Sequence, residues 1–151
     1  MTDLLRNYWY VAAHGASLAL GKTHAITILG EELLLGRNNT GAVFALKDFC
    51  PHRGMPLRYG SFDGCEIECC YHGWKFNTEG TCTKIPTLLE SDTTDVSRIK
   101  TDSYPAFEQD GLIWVYMAAD AKDPIPHAPP PTMPGNISGG FKHVESVLFP
   151  C

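Results

Sequence analysis

The alternation of apolar and polar positions predicts short β-strands along most of this chain. In the first half, runs rich in aliphatic and β-branched residues at 23–29 and 32–37 flank a Gly-Glu pair. The turn signal Asn-Asn-Thr-Gly at 38–41 precedes a third run at 42–47. The pattern continues beyond these turns, with a strand predicted at 66–69 and a hairpin predicted from 74–77 and 81–85 around residues 78–80.

The last strong apolar run is Leu112–Met117, which is apolar on both of its alternating faces and therefore predicts a strand buried on both sides. We expect this strand to face 98–104 across a connection that ends in Asp110-Gly111. No helical period persists, although 88–96 is compatible with an irregular or short helical excursion. The prediction is an all-β fold, a small antiparallel barrel or sandwich with loops capping one end.

The chain changes character after residue 118. Residues 123–134 contain six prolines, which predicts an extended and semi-rigid segment. This segment is either a recognition peptide for proline-binding partners or a strap to another domain, and the return of strand-like composition at 141–149 favours the strap. We therefore predict a domain at 1–118, a Pro/Gly-rich strap at 119–140 and the start of a further, catalytic domain at 141–151.

Composition narrows the functional classes. A chain of 151 residues with 44% apolar content supports one hydrophobic core. The net charge of −5, without Lys/Arg clusters, gives no support for nucleic-acid binding, and no run approaches the ~20 apolar residues of a membrane span. No secretory signal is evident at the start. The six cysteines show no disulfide framework, so we expect free thiols and a cytoplasmic location.

Two short loops carry the candidate chemistry. Cys50-Pro-His52 and Cys69-Cys-Tyr-His72 each offer one thiolate and one imidazole. This is the ligand set of a [2Fe–2S] centre in which two histidines replace two cysteines on one iron. A structural zinc site is the alternative, but zinc fingers usually pair like ligands as Cys-x(2–4)-Cys and His-x(3–5)-His. Gly54 and Gly73 follow the histidines, where we expect tight turns that bring backbone N–H groups towards the sulfurs.

These loops resemble a known family. The stretches CPHRGMPL at 50–57 and CCYHGW at 69–74 are similar to the cluster-binding loops of Rieske non-haem iron oxygenases, and segments 7–13 and 110–116 are similar as well. The resemblance extends to ring-hydroxylating and vanillate O-demethylase-like oxygenase subunits. It implies that Cys50, His52, Cys69 and His72 hold a [2Fe–2S] cluster.

The same resemblance implies a role. The domain would pass electrons from a flavin reductase or ferredoxin, driven by NAD(P)H, to a mononuclear non-haem iron that activates O2 in a mono- or dioxygenase. Such an iron needs two His and one carboxylate. Only His127 and His143 follow His72, so we expect the Fe(II) site in a domain outside these 151 residues. A homotrimer of the full-length protein is a further implication. A stand-alone Rieske-type ferredoxin carrier is the alternative function.

The neighbours of the ligands also carry expectations. Respiratory Rieske proteins resemble this chain at the ligands but have bridged cysteines where Met55 and Tyr71 stand here. We expect Trp74 and Met55 to shield the cluster, Tyr71 to bond a ligand or pack in the core, and Arg53 to form an ion pair that stiffens its loop. Two further expectations concern residues outside the ligand set: Cys70 is predicted to be a small buried residue, and His14, His24, His127 and His143 are predicted to be solvent-facing or locally satisfied.

Overall fold

The structure is a computed structural model that describes residues 5–89, 91–120 and 124–133. These residues form eleven strands in three antiparallel sheets, with three single turns of 3-10 helix between them. The predicted all-β fold is therefore confirmed. The predicted domain start at 141–151 and part of the 119–140 strap lie outside the described residues.

The first sheet joins the two ends of the domain. Its order is β1 (Tyr8–His14), β11 (Leu112–Met117) and β10 (Ala106–Gln109), so the central strand is the last one in sequence. Residues 113–117 are buried, which confirms the prediction of a strand buried on both faces. β10 and β11 form a tight hairpin through Asp110-Gly111, where both residues have positive φ.

The expected pairing of 98–104 with β11 is wrong. Ser103–Tyr104 forms β9 and pairs with another sheet, and the true partner of β11 in the hairpin is β10. The two-residue turn at Asp110-Gly111 fixes the register so that Gln109 pairs with Leu112, and this leaves 98–104 too far back in the chain to join.

The second sheet has the order β2-β3-β4-β9. The two runs predicted on either side of Gly30-Glu31 form an antiparallel pair, and the turn between them lies one residue earlier than predicted, at Leu29 and Gly30. The described residues of the excursion predicted at 88–96 are irregular, apart from Val96, which begins a 3-10 turn that ends at Arg98. The strands of this sheet are β2 (Lys22–Ile28), β3 (Glu31–Arg37), β4 (Val43–Lys47) and β9 (Ser103–Tyr104).

The third sheet has the order β5-β6-β7-β8 and lies between β4 and β9 in sequence. Residues 48–101 therefore form one excursion, and its ends meet where the Lys47 N–H donates to the Asp102 carbonyl at 2.8 Å. The predicted strand at 66–69 and the hairpin at 74–85 are confirmed within it. The strands are β5 (Ser61–Phe62), β6 (Glu66–Glu68), β7 (Lys75–Asn77) and β8 (Cys82–Lys84).

Strand β3 separates two apolar cores. Leu33 and Leu35 pack with β11 in the first core, whereas Leu34, on the opposite face, packs in the second core with the third sheet. Because both faces of β3 are buried, the excursion is anchored to the rest of the domain by continuous apolar packing. Within the described part of the chain, no helix is long and apolar enough to cross a membrane.

Candidate metal centre

The two predicted ligand loops meet in the structure. The first follows β4, and the second connects β6 to β7. The rings of His52 and His72 approach to 4.6 Å between centroids at an interplanar angle of 65°. Cys50 and Cys69 belong to one buried cluster, and the Cys69 thiol contributes to the raised pKa of Cys50. Two thiols and two imidazoles from separate loops are therefore brought together, as the spacing of the motif predicted.

Both loops use the same backbone hydrogen bonds. In the first, the Cys50 N–H donates to Met55 O at 2.8 Å and the Gly54 N–H donates to Cys50 O at 2.9 Å. In the second, the Cys69 N–H donates to Trp74 O at 2.9 Å and the Gly73 N–H to Cys69 O at 3.0 Å. Each glycine has positive φ, 74° and 68°, which explains the residue type at both positions.

The thiols of the site are buried in the protein core, whereas the imidazoles lie towards the surface. Cys50 and Cys69 are each 2% exposed and belong to the second core. Burial and the neighbouring Cys69 thiol raise the pKa of Cys50 to about 11, although backbone N–H groups of His52 and Arg53 donate to its sulfur and act in the opposite direction. The metal-free thiol is thus protonated, and metal binding must release that proton.

The two histidines occupy the surface of the site. His72 is exposed and His52 is half-buried. Partial burial, with the neighbouring His72 and the positive charge of Arg53, lowers the pKa of His52 below its usual value. A lowered pKa keeps the imidazole neutral near pH 7, which is the form that binds a metal.

Aromatic side chains hold both imidazoles. The Trp74 ring is stacked on His52, with centroids 4.4 Å apart and planes within 4°. Tyr71 contacts His72 with centroids 3.9 Å apart. Met55 and Trp74 also pack against the second core beside Cys50. These contacts restrict the rotation of the rings and exclude water from the inner side of the site.

The comparison with known families decides the nature of this site. The family model of the Rieske [2Fe-2S] domain matches residues 8–105, which include both loops and most of the strands. The chain belongs to the Rieske [2Fe-2S] domain family. Domains of this family bind a [2Fe–2S] cluster, so the expected cofactor is confirmed.

The relatives of this Rieske domain are subunits of oxygenases. The 4beta-methylsterol monooxygenase of Methylococcus capsulatus (strain ATCC 33009 / NCIMB 11132 / Bath) is 37% identical over 134 residues, covering 89% of this chain and 36% of that protein. Crystalline dicamba monooxygenase with non-heme iron and dicamba has a TM-score of 0.74 and 34% identity, covering 90% of this chain and 40% of the other. The reduced complex between oxygenase and ferredoxin in carbazole 1,9a-dioxygenase has a TM-score of 0.68 and 31% identity, covering 76% and 30%.

The predicted resemblance to Rieske oxygenase subunits is therefore confirmed, and the matches include mono- and dioxygenases. The chain spans between 30% and 40% of the length of these three proteins. The donor set fits the cofactor chemically. Within residues 5–89, 91–120 and 124–133, no group of three or more His, Cys, Asp or Glu side chains converges on one metal position. A Rieske centre needs only two protein ligands on each iron.

Three expectations near the ligands fail. Cys70 is exposed rather than buried, because the inward position of its loop is taken by Cys69. Arg53 is also exposed, and it forms no ion pair with any residue of the described ranges. Its charge contributes to the lowered pKa of His52. Tyr71 is 56% exposed and neither enters the core nor donates a described hydrogen bond to a ligand.

The remaining histidines lie outside the two ligand loops. His24 and His127 are exposed and His14 is half-buried, as expected for residues without a ligand role, whereas His143 lies outside the described residues. The five described cysteines form no disulfide, in agreement with the expected free thiols.

Sequence reasoning missed a charge clamp that closes the first ligand loop. Asp48, with a fully buried side chain, precedes the loop, and it accepts the Arg58 N–H at 2.8 Å and the Arg58 Nε–H. The other end of the guanidinium reaches Glu32 on β3 at 2.7 Å. These partners raise the pKa of Arg58. An acidic residue two positions before Cys50 was the only signal in the sequence.

Replacing Arg58 by Ala should lower the free energy of unfolding by about 2–3 kcal/mol, because Asp48 would keep a buried charge without its partner. A urea titration followed by far-UV circular dichroism measures this change. Lys47→Ala is the matched control, since the Lys47–Asp102 pair is about half exposed and should be worth less than about 1 kcal/mol. Equal effects of the two substitutions would show that the clamp does not hold the loop.

Proposed function

We propose that Cys50 and Cys69 bind one iron of a [2Fe–2S] cluster and that His52 and His72 bind the other. The proposal is supported by the convergence of both loops, with the two cysteines in one buried cluster and the imidazole centroids 4.6 Å apart. Such a cluster takes up and releases one electron when it is bound. The chain would supply a dry inner side through its buried cysteines and an outer side through its histidines.

The function that this geometry supports best is electron transfer within a Rieske oxygenase. One observation carries it: the imidazole side of the site faces the surface, with His72 and Tyr71 exposed, while the thiol side is buried in the second core. Electrons would therefore enter and leave on the histidine side. Trp74 and Tyr71 would hold the two rings in place for this exchange.

The partners follow from the relatives. A ferredoxin is the donor that the structure of the carbazole 1,9a-dioxygenase complex supports, and a flavin reductase using NAD(P)H is the other candidate. The acceptor would be a mononuclear non-haem iron, as in dicamba monooxygenase with non-heme iron. We further propose a domain at 1–118 followed by the strap at 119–140, a homotrimeric full-length oxygenase, and a cytoplasmic location that suits the free thiols.

A stand-alone Rieske-type ferredoxin remains the second candidate, because the described residues already contain both ligand loops in a folded domain. The relatives favour the oxygenase, since the matched region covers only 30% to 40% of the length of those three proteins.

Mixing the 151-residue chain with NAD(P)H, a flavin reductase and a ferredoxin should change its visible spectrum to that of a reduced Rieske centre. Product analysis should nevertheless detect no oxidised organic substrate, because only His127 and His143 follow the second loop. The same mixture without the ferredoxin tells whether the reductase alone can reduce the cluster. Substrate-dependent product, together with more than two irons per chain, would contradict this assignment and point to a catalytic iron site elsewhere in the chain.

A further inference from the structure

The proline-rich segment lies against the first sheet, far in sequence from the ligand loops. Together with Pro126 and residues 128–130, Trp9 and Phe107 enclose a groove of about 320 Å³. Pro130 is buried, although most of its neighbours in the segment are exposed. The described strap, residues 124–133, is therefore seated on the domain over part of its length.

The carbonyl oxygens of the strap accept hydrogen bonds from side chains of the sheet. The Trp9 indole N–H donates to the carbonyl oxygen of Ala128 at 2.7 Å, and the Gln109 side-chain amide donates to the carbonyl of Pro131 at 3.2 Å. Prolines have no N–H, so a proline-rich chain offers mainly carbonyl acceptors. The sheet supplies the matching side-chain donors. At the end of the strap the Met133 N–H donates to an Asp110 carboxylate oxygen at 2.7 Å.

The face that receives the strap is aromatic. In the strand register Trp9 lies opposite Tyr116, and Phe107 lies opposite Trp114, so all four side chains project from the same face. The alternate residue Val115 points the other way, into the first core. Trp114 and Tyr116 are only 6% and 2% exposed although they face away from that core. Aromatic grooves with side-chain donors are the usual receptors for polyproline-II peptides.

We propose that the outer face of the β1-β11-β10 sheet is a binding site for a proline-rich peptide in the polyproline-II conformation, and that the strap at 124–133 is its built-in ligand. The strap is covalently attached, so its effective concentration at the site is of the order of millimolar. It occupies the face under ordinary conditions and fixes the path of the chain after β11. This inference is independent of the cluster, which is held by other loops.

The first test removes one donor while keeping an aromatic ring. In the whole chain with its cluster, Trp9→Phe should accelerate hydrogen–deuterium exchange of strap peptides that contain Met133 by about five- to tenfold, the effect of losing one hydrogen bond. Tyr8→Phe is the control, because the neighbouring Tyr8 is 58% exposed and no described hydrogen bond involves its hydroxyl. The visible spectrum of the cluster should be the same in both variants. Exchange that is unchanged in Trp9→Phe would overturn the proposal.

The second test offers the strap as a separate molecule. A fluorescent peptide with the sequence of residues 124–133 should bind a chain in which Pro129, Pro130 and Pro131 are replaced by Ser, as measured by fluorescence anisotropy. The unmodified chain should not bind it at about 100 µM, because the attached strap competes at about millimolar concentration. Adding Trp9→Phe to the triple variant should weaken binding at least about fivefold.

Two results of the peptide-binding experiment would also reject the proposal. One is a triple variant that binds the peptide no better than the unmodified chain does. The other is equal binding of a control peptide in which the prolines are replaced by Ala, since the site would then not select the polyproline-II conformation. Because every variant retains Cys50, His52, Cys69 and His72, the cluster spectrum reports separately on the proposed electron-transfer function.

Discussion

Replacing His72 by Ala should strip the cluster from the chain. The unmodified protein is expected to hold two irons and two labile sulfides and to give a rhombic electron paramagnetic resonance signal when reduced. Without the His72 imidazole one iron would retain a single protein ligand, so we expect at least a tenfold loss of bound iron and of visible absorbance. Iron and sulfide analysis of the purified variant measures the loss directly. His52→Ala should give the same result.

His24→Ala is the matched control for this experiment. His24 is exposed on β2 and belongs to neither loop, so its removal should leave the iron content unchanged. Purification of the unmodified chain with stoichiometric zinc and no labile sulfide would refute the proposed ligand assignment and restore the zinc alternative.

Gly60→Ala should be strongly destabilising, although Gly60 is not a proposed ligand. A Cβ at Gly60 would overlap with the carbonyl oxygen of Glu68, which is backbone and cannot move aside as a flexible side chain does. Gly60 follows the 3-10 turn Leu57–Tyr59 that ends the first ligand region, and Glu68 directly precedes Cys69. The extra methyl would push the two loops apart, at a cost of at least about 3 kcal/mol.

The midpoint of urea unfolding and the iron content should both fall in this variant. Gly30→Ala serves as the control, because a Cβ there meets nothing within 4 Å and only its positive φ of 77° is unfavourable, at about 1–2 kcal/mol. Gly30→Ala should also keep its full complement of iron, since the β2–β3 turn lies in another sheet. A smaller loss of stability for Gly60→Ala than for Gly30→Ala would contradict the steric argument.

The ligand loops could be predicted from the sequence because their chemistry is local. A cysteine, a histidine and a glycine within five residues define each loop, and the structure closes both with the same pair of backbone hydrogen bonds. The tight turns could also be predicted from the sequence. Gly30 and Asp110-Gly111 are residue types that favour hairpin turns, and in the structure they adopt the positive φ that such turns require. These features depend only on residues close together in the sequence, so a single sequence is enough to predict them.

The choice of strand partners was harder to predict. β10 has the sequence Ala-Phe-Glu-Gln and is half-exposed or exposed throughout, so its apolar signal is weak. β1 pairs with β11 across about a hundred residues, and nothing local specifies that partner. The pairing depends on burial in the assembled core, which periodicity along one strand does not report.

Side-chain environment was the least predictable property. The adjacent thiols Cys69 and Cys70 have opposite environments, one buried and one exposed, because the loop closes around the first of them. The Asp48–Arg58 clamp joins residues ten positions apart. Its contribution to stability comes from the burial of the Asp48 side chain, and Asp48 belongs to no sequence motif.

The excursion of residues 48–101 has a consequence for modularity. It leaves and re-enters the domain between β4 and β9, which are neighbours in one sheet and are joined where Lys47 donates to Asp102. The two ends of the excursion are therefore as close as the ends of a hairpin, so the same segment is suited to insertion between two adjacent antiparallel strands of another sheet. Its removal from this chain would expose Leu34 and Leu46, which pack against it in the second core. In this respect the excursion, which carries both candidate ligand loops, resembles an inserted cassette that completes the core of its host.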